Sequence, residues 1–114
     1  MKKVVHKFNG QNWDAQFVRP CDLTDYKKRD KDGDPERREG DCTMPMDPAH
    51  RLSRKERVIR IDKTLSSDEL LNVALHEAMH ATFPFLNEEW VDAPITDIAA
   101  FLVKLGFRKG RDAS

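Results

Sequence analysis

The segment around the pentapeptide HEAMH, residues 76–80, carries the clearest information about the fold of this chain. Ser66 followed by Glu69 forms a capping box, which satisfies two free amides in the first turn of a helix. Pro84 cannot continue a helix, so the helix ends at or before Phe83. These signals predict a helix from about residue 67 to residue 83.

This helix should pack on one side against other elements. An apolar stripe recurs at helical spacing, and its members are Leu71, Ala74, Leu75 and Ala78. We expect the stripe to be buried against a sheet. His76 and His80 would then lie along the border of the buried face.

The two histidines are spaced so that both can reach one metal ion. An α-helix rises 1.5 Å and turns about 100° per residue, so His76 and His80 share a face about 6 Å apart along the axis. Glu77 points slightly aside, which suits a carboxylate that takes a proton from metal-bound water. We therefore predict His76 and His80 as zinc ligands and Glu77 as a general base. The alternative is two surface histidines with no shared role.

Alternation of apolar and polar residues predicts short strands before this helix. The predicted strands are residues 13–19, 42–44 and 57–62. In the third strand, Ile59 and Ile61 share one face and Arg60 lies on the other. A strand is therefore expected directly before the helix with the two histidines.

A second helix is predicted over residues 88–105. Asn87 is a plausible N-cap, Gly106 a stop signal, and Pro94 should kink the first turns into a separate segment. Apolar residues recur at spacings of three and four, and they are Val91, Ile95, Ile98, Leu102 and Leu105. We expect that stripe to face the first helix.

The start of the second helix should supply a third ligand. The short connection after the first helix brings Glu88, Glu89 and Asp92 near His80. Glu88 is expected to face the first helix and Glu89 to face solvent, so we predict Glu88 as the ligand. Asp92 could accept the free ring N–H of His76 or His80. Glu89 and Asp92 remain alternatives, and both glutamates could simply favour a helix N-terminus.

Residues 22–41 are predicted to form a solvated loop. Fourteen of these twenty residues are charged, with both signs mixed and with Gly and Pro between them. Asp30, Asp32, Asp34 and Asp41 imitate the spacing of a calcium-binding loop. Pro35 occupies the position where such a loop requires glycine, so we do not expect a calcium site.

Length and composition predict one domain over residues 1–114, with a flexible tail at residues 108–114. Twenty basic and twenty acidic residues cancel, so nucleic acid and anionic membranes are not expected partners. We see neither a signal peptide nor a membrane span, and expect a cytoplasmic protein.

Cys21 and Cys42 are expected to be reduced. His6 and His50 could each stabilise an oxyanion, but are expected to be ordinary surface histidines.

The residues His76, Glu77 and His80, followed by Glu88 and Asp92, resemble the pattern of the gluzincin branch of zinc metallopeptidases. Residues 57–107 also resemble the minigluzincins and small metallopeptidases often encoded by phages, and more distantly the ImmA/IrrE-type peptidases. The resemblance implies that the strand at residues 57–62 is a sheet edge that pairs with an extended peptide.

These observations together predict an α+β fold of the zincin-like type, with a small antiparallel sheet packed on two main helices. The predicted function is zinc-dependent hydrolysis of a peptide or protein substrate. One alternative is a zinc-binding regulatory or protein-interaction module that cleaves nothing. Another is a structural zinc site closed by a fourth ligand such as Asp92 or a cysteine. The oligomeric state cannot be read from the sequence.

Overall fold

The computed structural model describes residues 3–109, and its α+β class is as predicted. The strands are β1 (Lys3–Phe8), β2 (Gln11–Val18), β3 (Thr24–Arg29), β4 (Pro35–Arg37), β5 (Gly40–Cys42) and β6 (Val58–Asp62). The helices are α1 (Ser67–Thr82) and α2 (Glu89–Lys104), and a 3-10 turn spans Pro20–Leu23. In the described part of the chain, no helix is both long and apolar enough to cross a membrane.

The main sheet has the strand order β1-β2-β6-β5 and is mixed. β2 and β6 run parallel, with Ala15 opposite Ile59, and the other two pairs are antiparallel. The prediction of an antiparallel sheet is therefore wrong at one pair. Nearly forty residues separate β2 from β6, which is ample for the crossover that parallel strands require.

β6 is not an edge of the sheet, because β2 and β5 pair with it on either side. The family resemblance had implied an edge at residues 57–62, and that expectation is wrong. The edge next to α1 is formed instead by β5, the shortest strand of this sheet. β5 lies two residues earlier than the strand predicted at residues 42–44.

The first strand was not identified in the sequence, although a local signal marks it. Asn9 and Gly10 join β1 to β2 and both have positive φ, 52° and 75°. An Asn-Gly pair adopts this conformation readily in a two-residue hairpin turn. The Asn9 side-chain amide also donates a hydrogen bond to the carbonyl of Thr82, at 2.7 Å, which ties the turn to the end of α1.

The charged stretch at residues 22–41 contains strands, so its prediction as a loop is wrong. β3 and β4 pair in a separate two-stranded sheet, with Thr24 opposite Arg37. Between them the carboxylate of Asp30 accepts hydrogen bonds from the amides of Asp32 and Asp34, at 2.9 and 3.1 Å. The aspartate spacing that imitates a calcium loop thus builds a turn.

The core lies between α1 and the sheet. Its buried apolar residues are Trp13, Ile59, Ile61, Leu65 and Ala81. Both isoleucines project from one face of β6, as the alternation predicted. On α1 the residues packed against this core are Leu70, Val73, Ala74 and Ala81. The predicted stripe of Leu71, Ala74, Leu75 and Ala78 lines an apolar cavity together with Ile59 and Ile61, so it faces the sheet as predicted, although its members are half-buried rather than buried.

Local signals fix the ends of α1. Ser66 accepts a hydrogen bond from the amide of Glu69, and the Glu69 carboxylate accepts one from the amide of Ser66. The helix ends at Thr82, two residues before Pro84. Both predicted boundaries are therefore confirmed to within one residue.

α2 is one continuous helix that contains Pro94, so the predicted separate segment is wrong. Pro94 removes only one backbone hydrogen bond near the helix start. The helix ends before Gly106, whose φ is 98°, and the amide of Phe107 donates to the carbonyl of Leu102. This pattern is a Schellman motif, which confirms the predicted stop. The cap at the start is Glu88 rather than Asn87.

The apolar pattern of α2 is split between two faces. Val91, Ile95 and Ala99 are buried. Ile98 and Leu105, which were predicted to share that face, are exposed.

At the end of the described chain, the amide of Lys109 donates to the Ser67 hydroxyl at 2.7 Å, so this part of the predicted tail is attached. Residues 110–114 lie outside the described part.

The close approach of β5 to α1 depends on Gly40. A Cβ atom at this position would lie 2.7 Å from Val73 Cγ1, 3.1 Å from the Arg60 carbonyl oxygen and 3.3 Å from Glu77 Cγ. A Cβ atom there requires the Val73 side chain, β5 or α1 to shift. A glycine therefore sets the distance between the sheet edge and the helix with the two histidines.

We predict that Gly40→Ala destabilises the fold by about 1–3 kcal/mol, the usual cost of overpacking. Urea unfolding followed by circular dichroism measures this. Removing the Val73 methyl groups relieves the closest contact, so the double variant Gly40→Ala with Val73→Ala should lose less stability than the two single losses added together. An unfolding midpoint for Gly40→Ala equal to that of the wild type would contradict the packing argument.

Candidate metal centre

The two histidines of α1 point at one position. Their Nε2 atoms lie 3.0 Å apart, and His80 is buried while His76 is half-buried. Two nitrogens bound at 2.0–2.1 Å to a tetrahedral zinc ion would lie about 3.3 Å apart. The observed separation is close to that value. The helix itself accounts for the arrangement, because residues four apart lie on the same face.

Glu88 completes the group from the start of α2. One carboxylate oxygen lies 2.9 Å from His80 Nε2, and the other lies 3.5 Å from His76 Nε2. Ligand atoms of all three residues lie within 4.8 Å of one another. The structure therefore places a group that could hold a metal ion where the sequence predicted it. Glu89, the neighbouring alternative, is exposed and is not part of the group.

Asp92 lies behind the group, one turn further along α2. Its carboxylate is 3.1 Å from His76 Nδ1, the ring nitrogen that faces away from the shared position. This contact favours a proton on Nδ1 and leaves the Nε2 lone pair available for a metal ion. Asp92 therefore contacts the ring of His76, whereas the sequence analysis could not decide between His76 and His80 as its partner. Within the described chain, the buried Nδ1 of His80 has no hydrogen-bond partner.

Glu77 is a buried carboxyl beside this group. Its Oε1 lies 3.9 Å from His76 Nε2, and its Oε2 has no hydrogen-bond partner among the described residues. Burial, followed by the charges of Asp41 and Glu88, raises the pKa of Glu77 to about 7, and Arg38 acts in the opposite direction. The carboxyl is therefore next to the metal position without belonging to the ligand group.

The edge strand β5 runs past the same group. Asp62 donates its amide proton to the carbonyl of Glu39, and Thr43 donates its own to the carbonyl of Val58. Backbone groups alternate along a strand, so those of Gly40 and Cys42 point away from β6 toward the open edge. Gly40 and Cys42 also line a cavity of about 330 Å³ together with the histidines, Glu77 and Glu88.

A bidentate ion pair between Arg60 and Asp41 holds the edge strand β5 in place. The Arg60 guanidinium on β6 donates to both carboxylate oxygens of Asp41 on β5, and also to the Asp22 carbonyl at 3.2 Å. Asp41 accordingly raises the pKa of Arg60 above its ordinary value. A bidentate pair of this kind fixes the register of two strands as well as their separation.

Two functional positions had no clear signal in the sequence. Arg38 lines the cavity beside Glu77, but in the sequence it is one of many charges in a mixed run. In the sequence, Gly40 looks like an ordinary loop residue of the same charged run. In the structure, its lack of a side chain allows the β5 backbone to approach α1 closely. The sequence around a glycine in a charged stretch does not indicate which helix will pack against that glycine.

The two histidines outside the group occupy different environments. His50 accepts a hydrogen bond at Nδ1 from the amide of Met46, at 3.0 Å, so its neutral ring carries the proton on Nε2. It lines a cavity of about 240 Å³ that also contains His80. His6 lies on β1 with its ring against Phe8. Of the two, His50 is the one that shares a cavity with a residue of the metal-binding group.

Neither cysteine joins the group of candidate ligands. The group found among residues 3–109 contains two histidines and one carboxylate, with no sulfur atom. Both cysteines are free thiols, and Cys21 is exposed. Burial raises the pKa of Cys42 to about 12, with smaller contributions from the charges of Glu77 and Asp41.

Comparison with protein-family models, with curated proteins and with solved structures gave no match to this chain.

We predict that a divalent metal ion binds at the group formed by His76, His80 and Glu88. Zinc added to chelator-treated protein should raise the unfolding temperature, because a ligand that binds the folded state stabilises it. His80→Ala should remove that shift. Glu88→Ala should weaken binding strongly, and Asp92→Ala should weaken it about 10- to 100-fold.

Glu89→Ala is the matched control, since it removes a neighbouring carboxylate that lies outside the group. Competition with a chromophoric chelator measures zinc affinity for each variant. If Glu89→Ala weakens binding as much as Glu88→Ala, the assignment of the third ligand is wrong.

The two cysteines should differ in reactivity. The thiolate is the reactive form, and the raised pKa of Cys42 keeps its thiol protonated at neutral pH. We expect iodoacetamide to alkylate Cys42 at least roughly 10-fold more slowly than the exposed Cys21 in the folded protein. Mass spectrometry of peptides after short exposures measures both rates. Equal rates in the folded protein, with equal rates also in urea, would contradict the assigned environment of Cys42.

Proposed function

We propose that this protein is a zinc-dependent peptide hydrolase. The observation that carries the proposal is the position of Glu77. It is a buried carboxyl with one unpartnered oxygen among the described residues, and it lies beside two histidines and a glutamate that converge on one point. A purely structural metal site has no use for such a group.

The donor set fits zinc. Two imidazole nitrogens and one carboxylate oxygen are a common ligand set for catalytic zinc, which keeps its fourth position open. The described residues supply no fourth ligand, because Asp92 contacts the outer nitrogen of His76 and Cys42 is not in the group. This supports an open site over the alternative of a closed structural zinc. Zinc held there polarises a carbonyl group and makes water more acidic.

Glu77 then acts as the general base. Its carboxyl takes a proton from the attacking water and passes it to the leaving amine. Burial raises the pKa of Glu77, which makes its carboxylate a stronger base than an exposed glutamate. Burial keeps bulk water away from the carboxyl, and the contact between α1 and β5 at Gly40 produces that burial.

The substrate lies along β5. An extended peptide can add to an open sheet edge through backbone hydrogen bonds, and the outward groups of Gly40 and Cys42 supply donors and acceptors. These groups line the cavity that contains Glu77. A peptide bond held there faces the metal position. The edge strand in this proposal is β5, in place of the strand at residues 57–62.

The alternative, a metal-binding interaction module without proteolysis, needs the three ligands but not Glu77. The burial of Glu77 and the open edge beside it favour the hydrolase. A cytoplasmic location and a lack of nucleic-acid partners stay predictions from the sequence.

The decisive variant is Glu77→Gln, which keeps the size of the side chain but cannot accept a proton. We expect zinc affinity to be retained and peptide cleavage to fall by roughly 10²-fold or more, the usual effect of losing a general base. Cleavage of a mixed peptide library, followed by mass spectrometry, first identifies a substrate for the wild type. The same peptide then measures the variant.

Glu89→Gln serves as the control, since it makes the same chemical change at an exposed carboxylate. It should cleave at the wild-type rate. A Glu77→Gln protein that binds zinc and cleaves as fast as the wild type would rule out the mechanism. A wild-type protein that binds zinc but cleaves no peptide in the library would favour the interaction module.

A further inference from the structure

α2 carries a second apolar stripe beside its buried one, centred about 100° around the helix. Its members are Trp90, Pro94, Ile98, Phe101 and Leu105, which recur at helical spacings of three and four. The four large members, Trp90, Ile98, Phe101 and Leu105, are 46% to 62% exposed. Phe107, just beyond the helix, is exposed as well. The helix is therefore apolar on two sides, although the described chain covers only one of them.

Such a stripe is larger than scattered surface residues would produce. A buried aromatic side chain covers about 150–250 Å², so the five large exposed residues offer roughly 100 Å² each, or about 500 Å² per molecule. Contiguous apolar patches of this size usually mark an interaction site. Residues 110–114, which follow the described part, have the sequence GRDAS and contribute one alanine as their only apolar side chain.

We propose that the stripe is the interface of a symmetric dimer, in which α2 of one copy packs antiparallel against α2 of a second copy. Two copies bury about 1,000 Å² in total, which lies at the lower threshold for a biological interface and is the size expected of a weak, reversible dimer. A two-fold axis lets the same patch serve both sides. The chain has a formal net charge of zero, so no overall repulsion opposes the pairing.

The charges beside the stripe favour the antiparallel arrangement. Asp97 and Lys104 are both exposed and lie seven residues apart along the same side of the stripe. When Ile98 packs against Phe101 of the second copy, Asp97 comes next to Lys104 of that copy. Two-fold symmetry forms this pair twice. In a parallel arrangement this flank of the two copies would lie on opposite sides of the interface, so the pair between Asp97 and Lys104 would not form.

The dimer leaves the metal centre accessible. Glu88 and Asp92 contact the histidines of α1, and each lies about 200° around the helix from Trp90. Metal binding and dimer formation therefore use different faces of α2. The proposal also stands apart from the proposed hydrolase activity, since neither requires the other.

Analytical ultracentrifugation of the full chain over a range of concentrations tests the proposal. We expect a reversible dimer, and Phe101→Glu should raise its dissociation constant at least roughly 30-fold, as for a central contact residue. Tyr26→Glu is the matched control, because Tyr26 on β3 is 61% exposed and Phe101 is 58% exposed. That control should leave the dimer unchanged, and circular dichroism with thermal unfolding reports whether each variant is folded.

Exchanging the charges of Asp97 and Lys104 distinguishes specific antiparallel pairing from nonspecific hydrophobic association. Lys104→Glu should weaken the dimer by placing a glutamate beside Asp97 of the second copy. Adding Asp97→Lys in the same chain restores opposite charges and should restore the affinity. A wild-type protein that stays monomeric up to about 100 µM would overturn the proposal, as would a folded Phe101→Glu variant that dimerises normally. A double charge exchange that fails to restore affinity would overturn the antiparallel arrangement.

Discussion

The contact between β5 and α1 at Gly40 is the constraint on which the site depends. Because position 40 has no side chain, the edge strand lies against Val73 and the stem of Glu77. The contact buries the Glu77 carboxyl, and burial is the main cause of its raised pKa. It also places the open backbone edge beside the metal-binding group. The absence of a side chain at position 40 thus permits the contact that buries the proposed base.

Features governed by neighbouring residues could be predicted from the sequence. Ser66, Glu69 and Pro84 delimit α1, and the helical repeat brings His76 and His80 together without help from the rest of the fold. Glu88 could be predicted because the connection between the helices is short. In each case the physical cause acts within about one helical turn or one tight turn.

Features that depend on distant parts of the chain could not be predicted in this way. The parallel pairing of β2 with β6 depends on where the chain returns after nearly forty residues, and periodicity does not encode that. The edge position of β5 follows from that pairing. On α2, two apolar stripes overlap in one repeat, so Ile98 and Leu105 were placed with Val91 and Ile95 on a single face. Packing against α1 decides which of the two apolar stripes of α2 is buried, and the sequence repeat alone does not show this.

Charge explains why metal binding and folding should be linked in this chain. Glu77, Glu88 and Asp41 place carboxyl groups close together, and after burial the repulsion from Asp41 and Glu88 adds to the raised pKa of Glu77. Arg60 balances Asp41 through its double hydrogen bond, and Arg38 acts on Glu77 from the strand side. Neither arginine is among the contacts of Glu88. A divalent cation at the two histidines would supply that missing positive charge, so the arrangement of carboxyl groups that the fold imposes is one that a bound metal ion would stabilise.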